Sequence, residues 1–136
     1  MADRIDIVAA VLDAELAKPY LYGEADCFFL GCQTADALDP ELGLTRRYWR
    51  AYSTLAGAQK ALRKRGCQSI ADLYARHLTR CAPAEARLGD LVIVLMDGGE
   101  HVAVCLGRRC RTKTAAGAID VPVTAGIAAF RTVGAA

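Results

Sequence analysis

Tyr20-Leu21-Tyr22-Gly23-Glu24-Ala25-Asp26-Cys27-Phe28-Phe29-Leu30 is the stretch around which the chain is organised. Pro19 stops the helix before it, and Gly23 marks a turn. Asp26 has the side chain of a helix N-cap. A helix is predicted from Cys27 to Leu38, where Asp39-Pro40 ends it. A thiol then sits on the first helical turn. The positive end of a helix favours the thiolate, the form that attacks carbonyl carbon. Cys27 is therefore the candidate nucleophile.

Upstream, Asp3 caps a first helix whose Ile5, Val8, Leu12 and Leu16 share a face at three- and four-residue spacing. Downstream, 45–52 reads as a short helical piece carrying Arg46, Arg47, Tyr48 and Trp49. Ser53 or Thr54 caps a helix ending at Gly66, and Ser69 opens another that carries Ile70, Leu73, Tyr74, His77 and Leu78. After Pro83 the pattern changes. Leu91 to Leu95 is a continuous apolar run suited to a buried strand, and Asp97-Gly98-Gly99-Glu100 is a turn. Strands are predicted over 101–106, 109–114 and 119–123, the last on a sheet edge because of Pro122. A short helix is predicted over 124–130. The expected class is α+β: N-terminal helices packed on a small antiparallel meander, in one domain over 1–136.

The 136 residues are 54% hydrophobic, enough for a real core. A net charge of +2, with both signs interspersed, argues against a nucleic-acid partner. No apolar run reaches membrane-spanning length, and the charged N-terminus is unlike a signal peptide. The expectation is synthesis in a cytoplasm without membrane insertion. None of the six cysteines forms a C-x-x-C pair, so neither a metal site nor a cofactor is expected, and most thiols are read as small buried hydrophobes.

A thiol nucleophile needs a base, and the chain offers only His77 and His101. His77 reads as a boundary residue on a helix. His101 follows a Gly-Gly turn and starts a strand, so it lies at a sheet end where a cleft can form against a helix N-terminus. Cys27 and His101 are the parts of a Cys-His dyad. Asp26, a carboxylate beside the thiol, is expected to turn back into backbone N–H groups. The aromatics Tyr48, Trp49 and Tyr52 are read as core anchors, Asp90 as a strand-entry turn residue, and Cys105 as packing on the sheet face that carries His101.

Three segments carry a resemblance. Tyr-x-Tyr-Gly-x-x-Asp-Cys, Tyr20 to Cys27, resembles the nucleophile motif of the NlpC-like cell-wall cysteine peptidases, compact members of the papain-like superfamily. Arg87-Leu88-Gly89-Asp90-Leu91-Val92 resembles their entry into the first core strand. His101-Val102-Ala103-Val104-Cys105-Leu106-Gly107 resembles their histidine strand. The three occur in the family's order. Arg47-Tyr48-Trp49-Arg50-Ala51-Tyr52-Ser53 and the Arg-rich helix ending at Gly66 are similar to a compact branch found among phage and prophage tail genes.

The resemblance implies a papain-like fold and hydrolysis of peptidoglycan stem peptides, typically after a γ-linked D-glutamate. Cys27 would form the acyl-enzyme and His101 would be its base. The Cys27 N–H would be one oxyanion donor, with Tyr22 at the cleft for substrate or oxyanion contact. It implies residence in a phage or phage-like tail with tail proteins as partners. The chain departs from the family twice. Where a His, Asn or Gln usually orients the imidazole, it has Thr112, Lys113 and Thr114. Thr112 or Thr114 is the available substitute, since Lys113 has no acceptor. Phe28-Phe29 stands where a Ser-Gly commonly follows the cysteine. Two alternatives stay open: a weak or inactive peptidase fold serving tail assembly, and an amidase or acyltransferase on the same Cys-His pair.

Overall fold

Asp26 begins the central helix. Its carboxylate accepts from the Phe29 N–H at 3.0 Å, and α2 runs Cys27–Leu38. The computed structural model describes residues 3–132. Ahead of α2, Asp3 accepts from the Asp6 N–H and starts α1, Arg4–Leu16. Val8 and Leu12 of α1 are buried as expected, whereas Ile5 is 63% exposed, so the buried stripe begins one turn later than the spacing predicts.

Three short helices follow. In α3, Leu44–Tyr48, the Asp36 carboxylate accepts from the Leu44 and Thr45 N–H groups, both at 2.8 Å. The piece expected over 45–52 ends at Tyr48, because Trp49 turns extended and Arg50 takes a positive φ of 57°. Thr54 caps α4, Leu55–Lys64, and Ser69 caps α5, Ile70–Ala75. His77 lies in the turn beyond α5, not on the helix.

The strands are β1 (Thr79–Cys81), β2 (Leu91–Met96), β3 (Gly99–Cys105), β4 (Arg109–Thr114), β5 (Gly117–Pro122) and β6 (Gly126–Arg131). They form one six-stranded sheet in the order β1-β6-β2-β3-β4-β5, with every neighbouring pair antiparallel. The expected meander is β2 to β5, with β5 on an edge. The helix predicted over 124–130 is instead β6, which returns to lie between β1 and β2. Its alanines favour a helix locally. Pairing on both sides, with Ala128 and Phe130 in the core, overrides that preference. Strand β1 has too little pattern in the sequence to be foreseen.

The sheet is buried on both faces. Leu91, Ile93, Val102, Val104 and Phe130 pack with Phe28, Leu30 and Tyr74 on the helical side. Val92, Val94, Ala103, Cys105, Cys110 and Ala129 form a smaller cluster on the other. Double-sided burial accounts for the continuous apolar run at the start of β2. Helix α2 lies close on β3 because Gly31 has no side chain. A Cβ there would stand 2.5 Å from the Tyr74 hydroxyl and 2.7 Å from a Val102 methyl. The result is a single α+β unit whose central helix brings its N-terminus beside the first residues of β3.

Candidate active site

The loop before α2 is held by one carboxylate. Asp26 is 3% exposed and accepts from the Gly23 N–H, the Phe29 N–H and the Tyr52 hydroxyl. Its side chain therefore turns back into the backbone as the sequence suggests. Tyr52 also fixes the loop by contact. Gly23 has φ +88°, and a Cβ there would fall 2.0 Å from the Tyr52 carbonyl oxygen. Only glycine fits that crossing.

Cys27 follows on the first turn and is 6% exposed. The helix N-terminus favours its thiolate, but burial is the larger influence. Burial pushes the thiol up to about 11, the Asp26 charge adds to the rise, and the Val102 N–H, the Tyr20 hydroxyl and the Cys27 N–H oppose it. The resting group is the neutral thiol. The sequence-based expectation of a helix-activated thiolate is thus reversed by desolvation. The rate of Cys27 alkylation by iodoacetamide should rise about tenfold per pH unit between pH 8 and pH 10, because only the thiolate reacts. Mass spectrometry of the Cys27 peptide checks this, and a plateau already reached at pH 8 would contradict it.

Tyr20 is the residue that sequence reasoning missed. Its hydroxyl neighbours the Cys27 sulfur, and burial, then the Cys27 and Asp26 charges, raise the phenol well above its ordinary range. It is a neutral donor at the thiol. Tyr22, the expected cleft residue, borders the same cavity and stacks edge-on against Tyr20 with ring centroids 5.4 Å apart. The two alternate in one motif, and spacing alone does not say which turns inward. Tyr52 gave no sequence signal of its role, because its partner lies 26 residues away.

His101 borders the cavity from the β2–β3 end of the sheet, so the structure brings Cys27 and His101 to one site. No hydrogen bond joins them. The strand pairs His101 with Val94, on the face that also carries Ala103 and Cys105, while Val102 packs toward α2. The His101 Nδ1 is buried and has no partner among the described residues. Thr112 does not orient it. The Thr112 hydroxyl donates instead to the Val102 carbonyl at 2.7 Å, and the Thr114 hydroxyl to the Gly117 carbonyl at 2.8 Å. A threonine opposite the strand satisfies a local carbonyl in preference to a distant ring. Lys113 points to the helical side and donates to the Glu15 carbonyl.

His77 stays apart. It pairs with the Tyr48 hydroxyl at 2.6 Å, and burial, then Arg47 and Arg76, lower its pKa. Tyr48 borders the cavity but His77 does not. Phe28 and Phe29 are both buried in the core behind the thiol. Trp49, expected as a core anchor, is 42% exposed, whereas Tyr48 is buried.

The cavity measures about 370 Å³ and lies between the α2 N-terminus, α4 and the β2–β3 turn. Among the described residues, no group of three or more His, Cys, Asp or Glu side chains could hold a metal ion. No helix among them is long and apolar enough to cross a membrane.

A family model covers residues 2–132. The chain belongs to the DUF6950 family. That family is described as a domain of unknown function, so membership fixes the relationship and leaves the chemistry to the site. No curated protein matches the chain. Within this DUF6950 domain the convergent features are a buried thiol at a helix start, a phenol beside it and a histidine that borders the same cavity.

Proposed function

We propose that this DUF6950 domain is a cysteine-type hydrolase of the papain-like, NlpC-like kind, cleaving an amide through an acyl-enzyme on Cys27. The observation that carries the reading is that Cys27 and His101, from elements 74 residues apart, border the same cavity with the Tyr20 hydroxyl at the sulfur. The Cys27 thiol gives its proton to the His101 imidazole as the sulfur attacks the carbonyl carbon. The oxyanion is met by the Cys27 N–H and the Tyr20 hydroxyl. The tetrahedral adduct collapses, the C–N bond breaks, and the imidazolium protonates the departing amine. Water then attacks the thioester, gives a proton to the imidazole, and releases the acid and the thiol. Asp26 and Tyr52 hold the nucleophile loop and do not touch the reacting atoms.

Peptidoglycan stem peptides are the substrate class put forward by the motif resemblance, and a phage-like tail is the setting it puts forward. Digestion of purified muropeptides, followed by mass spectrometry, tests the hydrolase. His101→Ala should lower the rate by about 100-fold or more, with partial rescue by added imidazole. An unchanged rate would remove His101 from the mechanism.

A second reading has its own observation. Burial holds the thiol neutral, and no hydrogen bond links it to His101. These features suit a peptidase fold retained as an assembly component of a tail. Muropeptides and apolar acyl amides or esters all left intact by the native chain at every pH from 6 to 10 would favour that reading.

A further inference from the structure

The walls of the Cys27 cavity are unlike those a carboxylate-rich substrate requires. Phe28, Tyr48, Leu55, Leu62, Leu73 and Met96 belong to its apolar lining. Among the described residues that border it, Arg65 is the only Lys or Arg. Its guanidinium donates to the Ala61 carbonyl at 3.0 Å and lies 5.5 Å from the Tyr48 ring centre. Three carboxylates border the same space. Asp26 is committed to the nucleophile loop, Glu100 accepts from the Ile70 and Ala71 N–H groups, and Asp97 is exposed at the rim. A γ-linked glutamate keeps a free α-carboxylate, which this ring of acids repels.

Helix α4 adds an independent observation. Leu55, Ala58, Ala61 and Leu62 recur at three- and four-residue spacing, with Lys60, Arg63 and Lys64 on the remaining surface. Such a helix ordinarily buries its apolar side, yet no residue of α4 is buried. That side borders the cavity. A volume of about 370 Å³ stands at the small end of the range for small-molecule sites, roughly 300–1,000 Å³.

We infer that the site takes a substrate with a bulky, uncharged apolar acyl group, laid against α4 with its carbonyl at Cys27. This rests on Cys27 as the nucleophile and replaces the stem peptide with a more apolar amide or ester. The acyl carbon forms its new bond to sulfur while the apolar chain fills the space between α4 and the α2 start. Burying each methylene is worth roughly fourfold in affinity, so a chain of several methylenes gives a measurable preference.

Alkylation of Cys27 in the full chain tests this without requiring turnover. The thiolate sulfur attacks the reagent methylene, the C–S bond forms, the C–I bond breaks, and iodide leaves while the thiol proton goes to buffer. Iodoacetamide, N-octyl iodoacetamide and iodoacetate are compared at pH 9, each rate normalised to glutathione. The octyl reagent should label Cys27 at least about tenfold faster than iodoacetamide, with iodoacetate slowest. Leu62→Arg should remove that gain. Ala58→Glu serves as the second variant if far-UV circular dichroism shows that the first does not fold. Equal rates, a preference for iodoacetate, no labelling by any reagent, or an undiminished gain in folded variants would overturn the inference. A native dimer that Leu62→Arg converts to monomer would also overturn it, making α4 an interface between copies. Apolar selectivity with no Cys27-dependent hydrolysis of an octanoyl amide or ester would end the hydrolase reading and keep the apolar site. Hydrolysis without selectivity would do the reverse.

Discussion

Cys27→Ala should lower amide hydrolysis by about 1,000-fold or more while the chain stays folded. Among the described residues that border the cavity there is one Cys and no Ser, Thr or Lys, so loss of the sulfur removes the covalent thiol route. The structural cost is small. Cys27 is a small side chain on the first turn of α2, and the cap comes from Asp26, which the substitution leaves in place. Losing one buried sulfur costs about 1 kcal/mol, a shift of a few degrees in thermal midpoint. Activity assays and thermal melts on the same preparation separate the two effects. Retained turnover would show that another group does the chemistry. A collapse of the melt would show that Cys27 is a core residue first.

The largest expected effect on stability belongs to Asp90. This carboxylate is fully buried and ties the N-terminal helix, the entry to β2 and the end of β6 together. It accepts from the Arg87 N–H at 2.8 Å, the Thr132 N–H at 2.9 Å and the Arg4 guanidinium at 3.2 Å, with Arg131 at 3.7 Å. Asp90→Ala leaves two backbone donors and a partly buried guanidinium without their acceptor. The expected loss is about 3–5 kcal/mol, a large part of the roughly 5–15 kcal/mol that holds a domain of this kind folded. Urea unfolding should show a lower midpoint with an unchanged slope. Asp90→Asn, which keeps one acceptor oxygen, should lose about half as much. A loss under about 1 kcal/mol for the alanine variant would contradict the account of this network.

How much of this was legible in the sequence depended on how local the determinant was. The bounds of α2 could be read because Asp26, Cys27 and Asp39-Pro40 set them within a few residues. Strand β4 and the edge position of β5 were likewise visible. Strand β6 was not, because Ala128 and Ala129 favour a helix until β1 and β2 offer pairing on both sides. Asp90 read as a turn residue, and only the fold brings Arg4 and Thr132 to it.

The site divided in the same way. Cys27, Asp26 and His101 stood out through local setting. The cavity that Cys27 and His101 both border is tertiary, and so are the contacts of Tyr20 and Tyr52. Position along the strand points to Thr112, but it does not reveal that the hydroxyl turns to the Val102 carbonyl. The thiol's ionisation is hidden from the sequence for a related reason. A helix start is visible in sequence, but the burial that outweighs it is not.

The central claim is that a thioester forms on Cys27, and trapping it is the most direct test. The full chain is mixed with an octanoyl amide or ester, quenched in acid within a turnover, and analysed by intact mass and peptide mapping. The account predicts one octanoyl group, confined to the peptide containing Cys27 and absent in Cys27→Ala. Product released with no adduct on Cys27, or an adduct on another of the six cysteines, would contradict it.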